Sequence, residues 1–298
     1  MAEIGRLLTA MATPFDRDGE LDEAGVVRLA RALLDSGSDG LVVAGTTGES
    51  PTLTKAETLR LFRIVKDAVG GRGAVIAGTG SYSTAESIEK TREAERIGVD
   101  GVLLVVPYYN KPTQEGLFRH FEAIARATAL PCILYNVPGR TSINMTAETT
   151  IRLSHIPNIA GIKEASGDLA QSARIIQGAR EGFRVWSGND EDTLPILALG
   201  GYGVVSVASH LAGRQIATMI DAHLRHDSEE AAAIHRRLLP LVKALFLVGS
   251  PVPLKFALNE AGFPVGNPRL PLYPPDEAVA EQIRAELARH RLDLPVTV

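Results

Sequence analysis

The feature that most constrains this chain is a regular alternation. Short apolar runs recur along the first three-quarters of the sequence, each followed by a longer segment of helical period. Eight such runs are read as strands, at Leu7–Met11, Gly40–Ala44, Ala74–Ala77, Gly101–Val106, Pro131–Tyr135, Ile159–Lys163, Phe183–Trp186 and Val204–Val207. Several carry no polar alternation, as in Val102-Leu103-Leu104-Val105-Val106, which is what burial on both faces of a parallel sheet requires. The segments between them carry helix signals. Val26, Leu29, Ala30, Leu33 and Leu34 form one stripe closed by Ser36-Gly37, and Thr54 precedes Glu57 by the spacing of a capping box. Eight strand–helix units predict an α/β fold of the (β/α)8 TIM-barrel type.

After about His226 the alternation stops, and helices are expected at Glu229–Val248, Val252–Ala261 and Asp276–Arg289. The expected organisation is therefore a barrel over 1–226 and a C-terminal helical appendage over 227–298. Phe263 to Pro275 holds five prolines and is expected to cross in extended form.

Composition narrows the function. Lys and Arg number 31 against 35 Asp and Glu, with a formal net charge of -4, so no footprint for nucleic acid or an anionic membrane is present. No segment approaches about 18 uncharged apolar residues, and the stretch from Met1 to Met11 lacks the basic head and long apolar run of a signal peptide. A soluble, cytoplasmic protein is expected. Cys132 is the only cysteine, which excludes an intrachain disulfide, a thiolate zinc site or an iron–sulfur cluster. The seven histidines do not cluster, His223 and His226 are expected on a solvated outer helix, and no metal or other cofactor is expected. Trp186 reads as a packed core residue.

Chemistry in such barrels sits at the C-terminal ends of the strands. There the chain places Gly45-Thr46-Thr47-Gly48-Glu49-Ser50, Tyr108-Tyr109-Asn110-Lys111, Tyr135 to Thr141, Lys163-Glu164 and Ser187-Gly188-Asn189-Asp190. Lys163 is the sharpest of these. Strand parity puts it on one face with Ile159 and Gly161, and Gly161 leaves room beside it. If that face lines the barrel, desolvation disfavours the ammonium form and yields an amine able to form a Schiff base. The competing reading is a strand-end lysine that snorkels to water or pairs with Glu164. Thr46 and Thr47 lie in a loop that is either a carboxylate cradle or a tight strand-to-helix turn. No Gly-Lys-Ser/Thr follows it, and Gly78-Thr79-Gly80 lacks the third glycine of a dinucleotide fingerprint. Tyr108, Tyr109 and Tyr135 are half of the six tyrosines; beside a threonine hydroxyl such a phenol can relay a proton, or it can simply pack.

These residues, in this order, resemble the dihydrodipicolinate synthase (4-hydroxy-tetrahydrodipicolinate synthase) family, within the pyruvate-lyase superfamily that also holds N-acetylneuraminate lyase. The resemblance runs from Thr9-Ala10-Met11-Ala12-Thr13-Pro14-Phe15 through GTTGESPTL, AGTGS, PYYNKP, YNVPGRT, GIKEASGDL, SGND and GVVSV to SPVPLKFAL and RLPL. It implies a barrel assembled as a homotetramer of tight dimers. It implies an imine between Lys163 and pyruvate whose enamine attacks aspartate 4-semialdehyde, giving hydroxy-tetrahydrodipicolinate on the route to diaminopimelate and lysine. Carried over by position, Tyr135, Thr46 and Tyr109 form a proton relay, with Tyr109 reaching in from the neighbouring subunit. Thr46 and Thr47 hold the pyruvate carboxylate, Arg140 receives the semialdehyde carboxylate, and Gly188 and Val205 supply carbonyls or walls near Lys163. In lysine-inhibited relatives the effector lies near the equivalents of Ser50, Glu86 and Tyr108. Here Lys55 and Tyr82 stand where histidine and asparagine are common, so a like charge and a space-filling ring are expected to weaken lysine binding.

Two alternatives are carried beside this one. The first is a lyase or aldolase releasing pyruvate from a sugar-derived keto acid, which would share Lys163 and the cradle but not call for the guanidinium of Arg140. The second is a non-catalytic keto-acid-binding barrel, which would have lost Lys163 or the relay hydroxyls.

Overall fold

The structure, a computed structural model, describes residues 3–294. Met1 and Ala2 of the N-terminal stretch, and residues 295–298 at the end of the expected appendage, lie outside it. Eight parallel strands close into a barrel in sequence order: β1 Leu7–Ala10, β2 Gly40–Val43, β3 Ala74–Gly78, β4 Gly101–Val105, β5 Cys132–Asn136, β6 Ile159–Glu164, β7 Arg184–Ser187 and β8 Gly203–Ser206. β8 pairs back to β1, Leu8 opposite Val205. The TIM barrel expected from the periodicity is the observed fold, with no strand end moved by more than one residue.

Because side chains alternate across a strand, the apolar residues divide into two layers. Leu8, Val42, Ile76, Leu103, Ile133 and Val205 fill the interior, while Leu7, Leu41, Val75, Leu104, Leu134 and Ile162 pack outward against the helices. One irregularity decides the register of the strand that matters most. Cys132 pairs with Ile159 and Ile133 with Gly161, so Ala160 is an extra residue, a bulge. Ile159 therefore joins the outer layer, contrary to simple parity, whereas Gly161 and Lys163 stay in step with Ile133 and Tyr135. Gly161 also has a different purpose from the one expected. A Cβ there would stand 2.6 Å from Cζ3 of Trp186 and collide with the Arg184 carbonyl. The space beside Gly161 is thus filled by Trp186, which is fully buried and donates its indole N–H to the Gly5 carbonyl at 3.0 Å.

The capping box of Thr54 and Glu57 is made in both directions, at 3.2 Å and 2.8 Å, at the head of helix Lys55–Val69. Three helices follow the barrel's last one, Ser209–Leu224: Ser228–Ala244, Val252–Glu260 and Glu277–Arg289. The first ends four residues earlier than expected, ahead of Gly249-Ser250-Pro251, and leaves Phe246, Leu247 and Val248 exposed. Residues 263 to 275 cross without helix or strand, as their prolines require. Among the described residues no helix is long and apolar enough to cross a membrane, and no group of His, Cys, Asp or Glu side chains could hold a metal ion.

Candidate active site

Lys163 is 6% exposed and sits opposite Tyr135 on one side and Trp186 on the other in the barrel register. Its Nζ lies 4.2 Å from the centroid of the Tyr135 ring. Glu164, the next residue, faces the other way. It accepts hydrogen bonds from the Ser166 backbone N–H (2.7 Å), Asn136 Nδ2 (3.1 Å) and Gln171 Nε2 (3.2 Å), and burial raises its carboxyl above the usual carboxylate range. Lys163 is neither snorkelling nor paired with Glu164; it is an amine inside the barrel mouth. Gly188 makes room for it, since a Cβ there would come within 3.1 Å of Lys163 Cγ and 2.6 Å of Ala165 Cβ. Val205 belongs to the same interior layer as Tyr135 and Trp186.

The loop after β2 is a compact turn. Ala44 and Glu49 both adopt left-handed backbone conformations, with φ of 53° and 56°. Glu49 N–H donates to the Thr46 carbonyl at 3.0 Å and Ser50 N–H to the Gly45 carbonyl at 3.2 Å. Thr47 is buried and Thr46 half-buried. Non-glycine residues with positive φ cost free energy and collect at functional sites.

The other rim residues do not all converge within one chain. Tyr109 is 91% exposed and has φ of 72°. The Asn110 N–H donates to the Tyr108 carbonyl at 2.9 Å across it, a three-residue γ-turn with its central residue strained. Arg140 lies exposed in the single turn Pro138–Thr141, and its guanidinium has no partner among the described residues. Asp190 was legible only as one polar letter of a loop, yet it is buried. Its carboxylate accepts from the Ser206 hydroxyl and from the Val207 and Ala208 backbone N–H groups at 2.9 and 3.1 Å. Burial raises it above its usual range, with Lys163 pulling it down as a lesser influence.

The five residues singled out for an effector, Ser50, Lys55, Tyr82, Glu86 and Tyr108, line one cavity of about 350 Å³. Tyr82 does not fill it. Its ring meets Tyr108 edge to face at 5.2 Å and is half exposed. Nor is the Lys55 charge left alone, because its ammonium is hydrogen-bonded to Glu89.

The family model for the dihydrodipicolinate synthetase family matches residues 3–290. The chain is 60% identical over 296 residues to a 4-hydroxy-tetrahydrodipicolinate synthase of Dehalococcoides mccartyi, covering 99% of this chain and 100% of the relative. Among solved structures, a dihydrodipicolinate synthase from Bacillus anthracis superposes with a TM-score of 0.95 at 45% identity, over 97% of this chain and 99% of the other. The DHDPS from Cyanidioschyzon merolae with lysine bound does so with a TM-score of 0.95 at 50% identity, over 97% and 98%. With a buried lysine at the mouth of a closed eight-stranded barrel and a family match over nearly its whole length, the chain belongs to the dihydrodipicolinate synthetase family.

Proposed function

We propose that this chain is a 4-hydroxy-tetrahydrodipicolinate synthase condensing pyruvate with L-aspartate 4-semialdehyde. The observation that carries the reading is Lys163, a buried primary amine held over the Tyr135 ring at the mouth of the barrel, in a chain 60% identical to a relative of that name. The Lys163 amine adds to C2 of pyruvate and the carbinolamine loses water, giving a protonated imine. Loss of a C3 proton makes the enamine, whose C3 forms a bond to the aldehyde carbon of the semialdehyde. The semialdehyde's amine then attacks C2 and displaces Lys163, so the ring closes and the net reaction releases one water.

Tyr135 and Thr46 are the chain's own members of the proton relay, and Thr46 and Thr47 cradle the pyruvate carboxylate. Arg140, unpartnered and exposed, is free to take the second carboxylate as a planar fork. Gly188 and Val205 shape the wall beside Lys163. Tyr109 completes the relay from a neighbouring subunit. Its strained γ-turn and 91% exposure support a side chain that points away from its own barrel. The active assembly is then a cytoplasmic homotetramer of tight dimers, with the chemistry carried by the barrel of residues 1–226. A coupled assay with pyruvate and aspartate semialdehyde, beside N-acetylneuraminate and 2-keto-3-deoxy-gluconate, tests this; turnover of only the sugar acids would end it.

A further inference from the structure

Among the described residues, the most fully buried ion pair is not at Lys163. Lys255, on helix Val252–Glu260, donates to Glu49 Oε1 at 2.8 Å, and neither side chain is exposed at all. Burial lowers the Lys255 ammonium from its usual range, with Glu49 opposing that effect. The same ammonium donates to the carbonyls of Thr13 and Asn267, each at 3.0 Å, and lies 4.2 Å from the Phe15 ring centroid. The other Glu49 oxygen accepts the Arg269 backbone N–H at 2.8 Å.

Taking two charges out of water is costly, and such a pair is weak evidence for a gain in stability. Its consequence here is positional. Glu49 closes the turn that carries Thr46 and Thr47, through its own N–H to the Thr46 carbonyl at 3.0 Å. Thr13, held by Lys255, donates its hydroxyl to the Gly48 carbonyl at 2.7 Å. Lys255 therefore reaches both residues that follow Thr47, one directly and one through Thr13. The turn is left-handed at Glu49, with φ of 56°, and a strained conformation persists only where its surroundings over-determine it.

We propose that Lys255 is a positioning residue for keto-acid binding: from the C-terminal helices it pins the Thr46–Glu49 turn, through Glu49 and Thr13, in the shape that receives the pyruvate carboxylate. This rests on the synthase reading of the site. It gives the C-terminal helices a part in the active site of their own barrel. It also accounts for three sequence strings that no catalytic role uses, TPF, SPVPLK and RLPL.

The test uses the full-length chain with Lys255→Met and, separately, Thr13→Val, which removes only the hydroxyl aimed at Gly48. Michaelis constants for both substrates and kcat are measured beside thermal stability. The constant for pyruvate is expected to rise at least about fivefold in each variant, with that for the semialdehyde within about twofold of wild type, because only the first carboxylate meets this turn. A purely structural ion pair would lower the melting temperature and the active fraction and leave both constants alone. A pyruvate constant that rises less than fivefold in a folded variant, or an equal rise in both constants, overturns the proposal. Should Lys255→Met fail to fold, Thr13→Val decides it alone. Borohydride trapping of pyruvate on the enzyme, titrated against pyruvate concentration and read by mass, reports the same binding without the second substrate. Failure of wild type to condense the two substrates is thereby distinct from failure of the pin.

Discussion

The Nζ of Lys163 stands 4.2 Å from the centroid of the Tyr135 ring, and the two residues are partners in adjacent strands. The face of an aromatic ring attracts a cation. The protonated imine of the proposed reaction would place a positive charge over the same ring. On the proposed synthase reading, Tyr135 would hold the nitrogen through the covalent stages while its hydroxyl exchanges protons with substrate.

Borohydride in the presence of pyruvate is expected to inactivate the enzyme by reducing the imine at Lys163, because reduction makes a reversible linkage permanent. Peptide mass spectrometry should place the adduct on the fragment containing Gly161-Ile162-Lys163. In Tyr135→Phe the ring and its contact with Lys163 Nζ remain and the hydroxyl is lost, so trapping should persist while kcat falls by roughly 10²–10⁴. An adduct at Lys55, Lys111 or Lys255 with Lys163 unmodified would sink the mechanism.

Arg140→Ala should act on the second substrate alone. The guanidinium has no partner among the described residues, so its removal breaks no internal contact. A charge-assisted hydrogen bond contributes roughly 1.5–3 kcal/mol, which corresponds to about a ten- to hundredfold loss in kcat/KM for the semialdehyde. Imine formation with pyruvate should stay near wild type. Equal damage to pyruvate binding would assign Arg140 to the shape of its loop.

Residues whose role follows from periodicity were legible in the sequence, and residues whose role follows from irregularity were not. Eight strands announced themselves because doubly buried strands must be apolar throughout, and Lys163 stood out as a lone amine ending one of them. Strand parity misplaces Ile159 because a bulge at Ala160 has no sequence mark, and one extra residue reverses a side chain's face. Gly161 reads in sequence as vacancy, whereas in the fold it is the imprint of Trp186, twenty-five positions away in the chain. Lys255 carried a usable signal, a single charge in Val252-Pro253-Leu254-Lys255-Phe256-Ala257-Leu258. Its partner Glu49 lies more than two hundred residues earlier, a distance no local pattern spans. The γ-turn at Tyr109 is likewise set by the backbone around it rather than by side-chain type.

Acid should loosen the seam where the barrel closes. His210 is fully buried between the ends of β1 and β8, its Nδ1 donating to the Val207 carbonyl at 2.8 Å and its Nε2 accepting the Ala12 N–H at 3.1 Å. The bond at Nε2 requires the neutral ring, since a protonated Nε2 cannot accept the Ala12 N–H, and burial holds the imidazole down to about 4 from an ordinary 6.5. Below 6.5 the unfolded chain binds a proton that the folded one refuses. Stability from this group is therefore complete above 6.5, falls progressively as pH drops through 4, and changes by at most about 3 kcal/mol. Denaturant titrations at pH 7 and pH 4.5 should show the loss, and His210→Gln, with no titrating ring, should be less stable at pH 7 but flatter between the two. An equal slope in the variant would assign the acid sensitivity to other groups.

Free lysine should inhibit this enzyme weakly. The cavity that would receive it, about 350 Å³, has Glu86 and Tyr108 on its walls, but Glu86 is already paired with Lys90 of the same cavity at 3.3 Å. Beside them stands the ammonium of Lys55 on the same cavity, a like charge opposing the ligand's own. Glu89 offsets part of that repulsion, since it already bonds Lys55, but for the same reason it is less available to the ligand. Tyr82 leaves the space open while replacing a compact amide by a ring that presents one hydroxyl and leans on Tyr108. The steric part of the expected block is therefore absent and the electrostatic part remains. Half-inhibition is expected above about 1 mM lysine, where binding is worth roughly 4 kcal/mol, and Lys55→His should lower it by about tenfold as the fixed charge is removed at pH 8. Half-inhibition of wild type well below 1 mM, or no change in Lys55→His, would show that the Lys55–Glu89 pair is electrically silent toward the ligand.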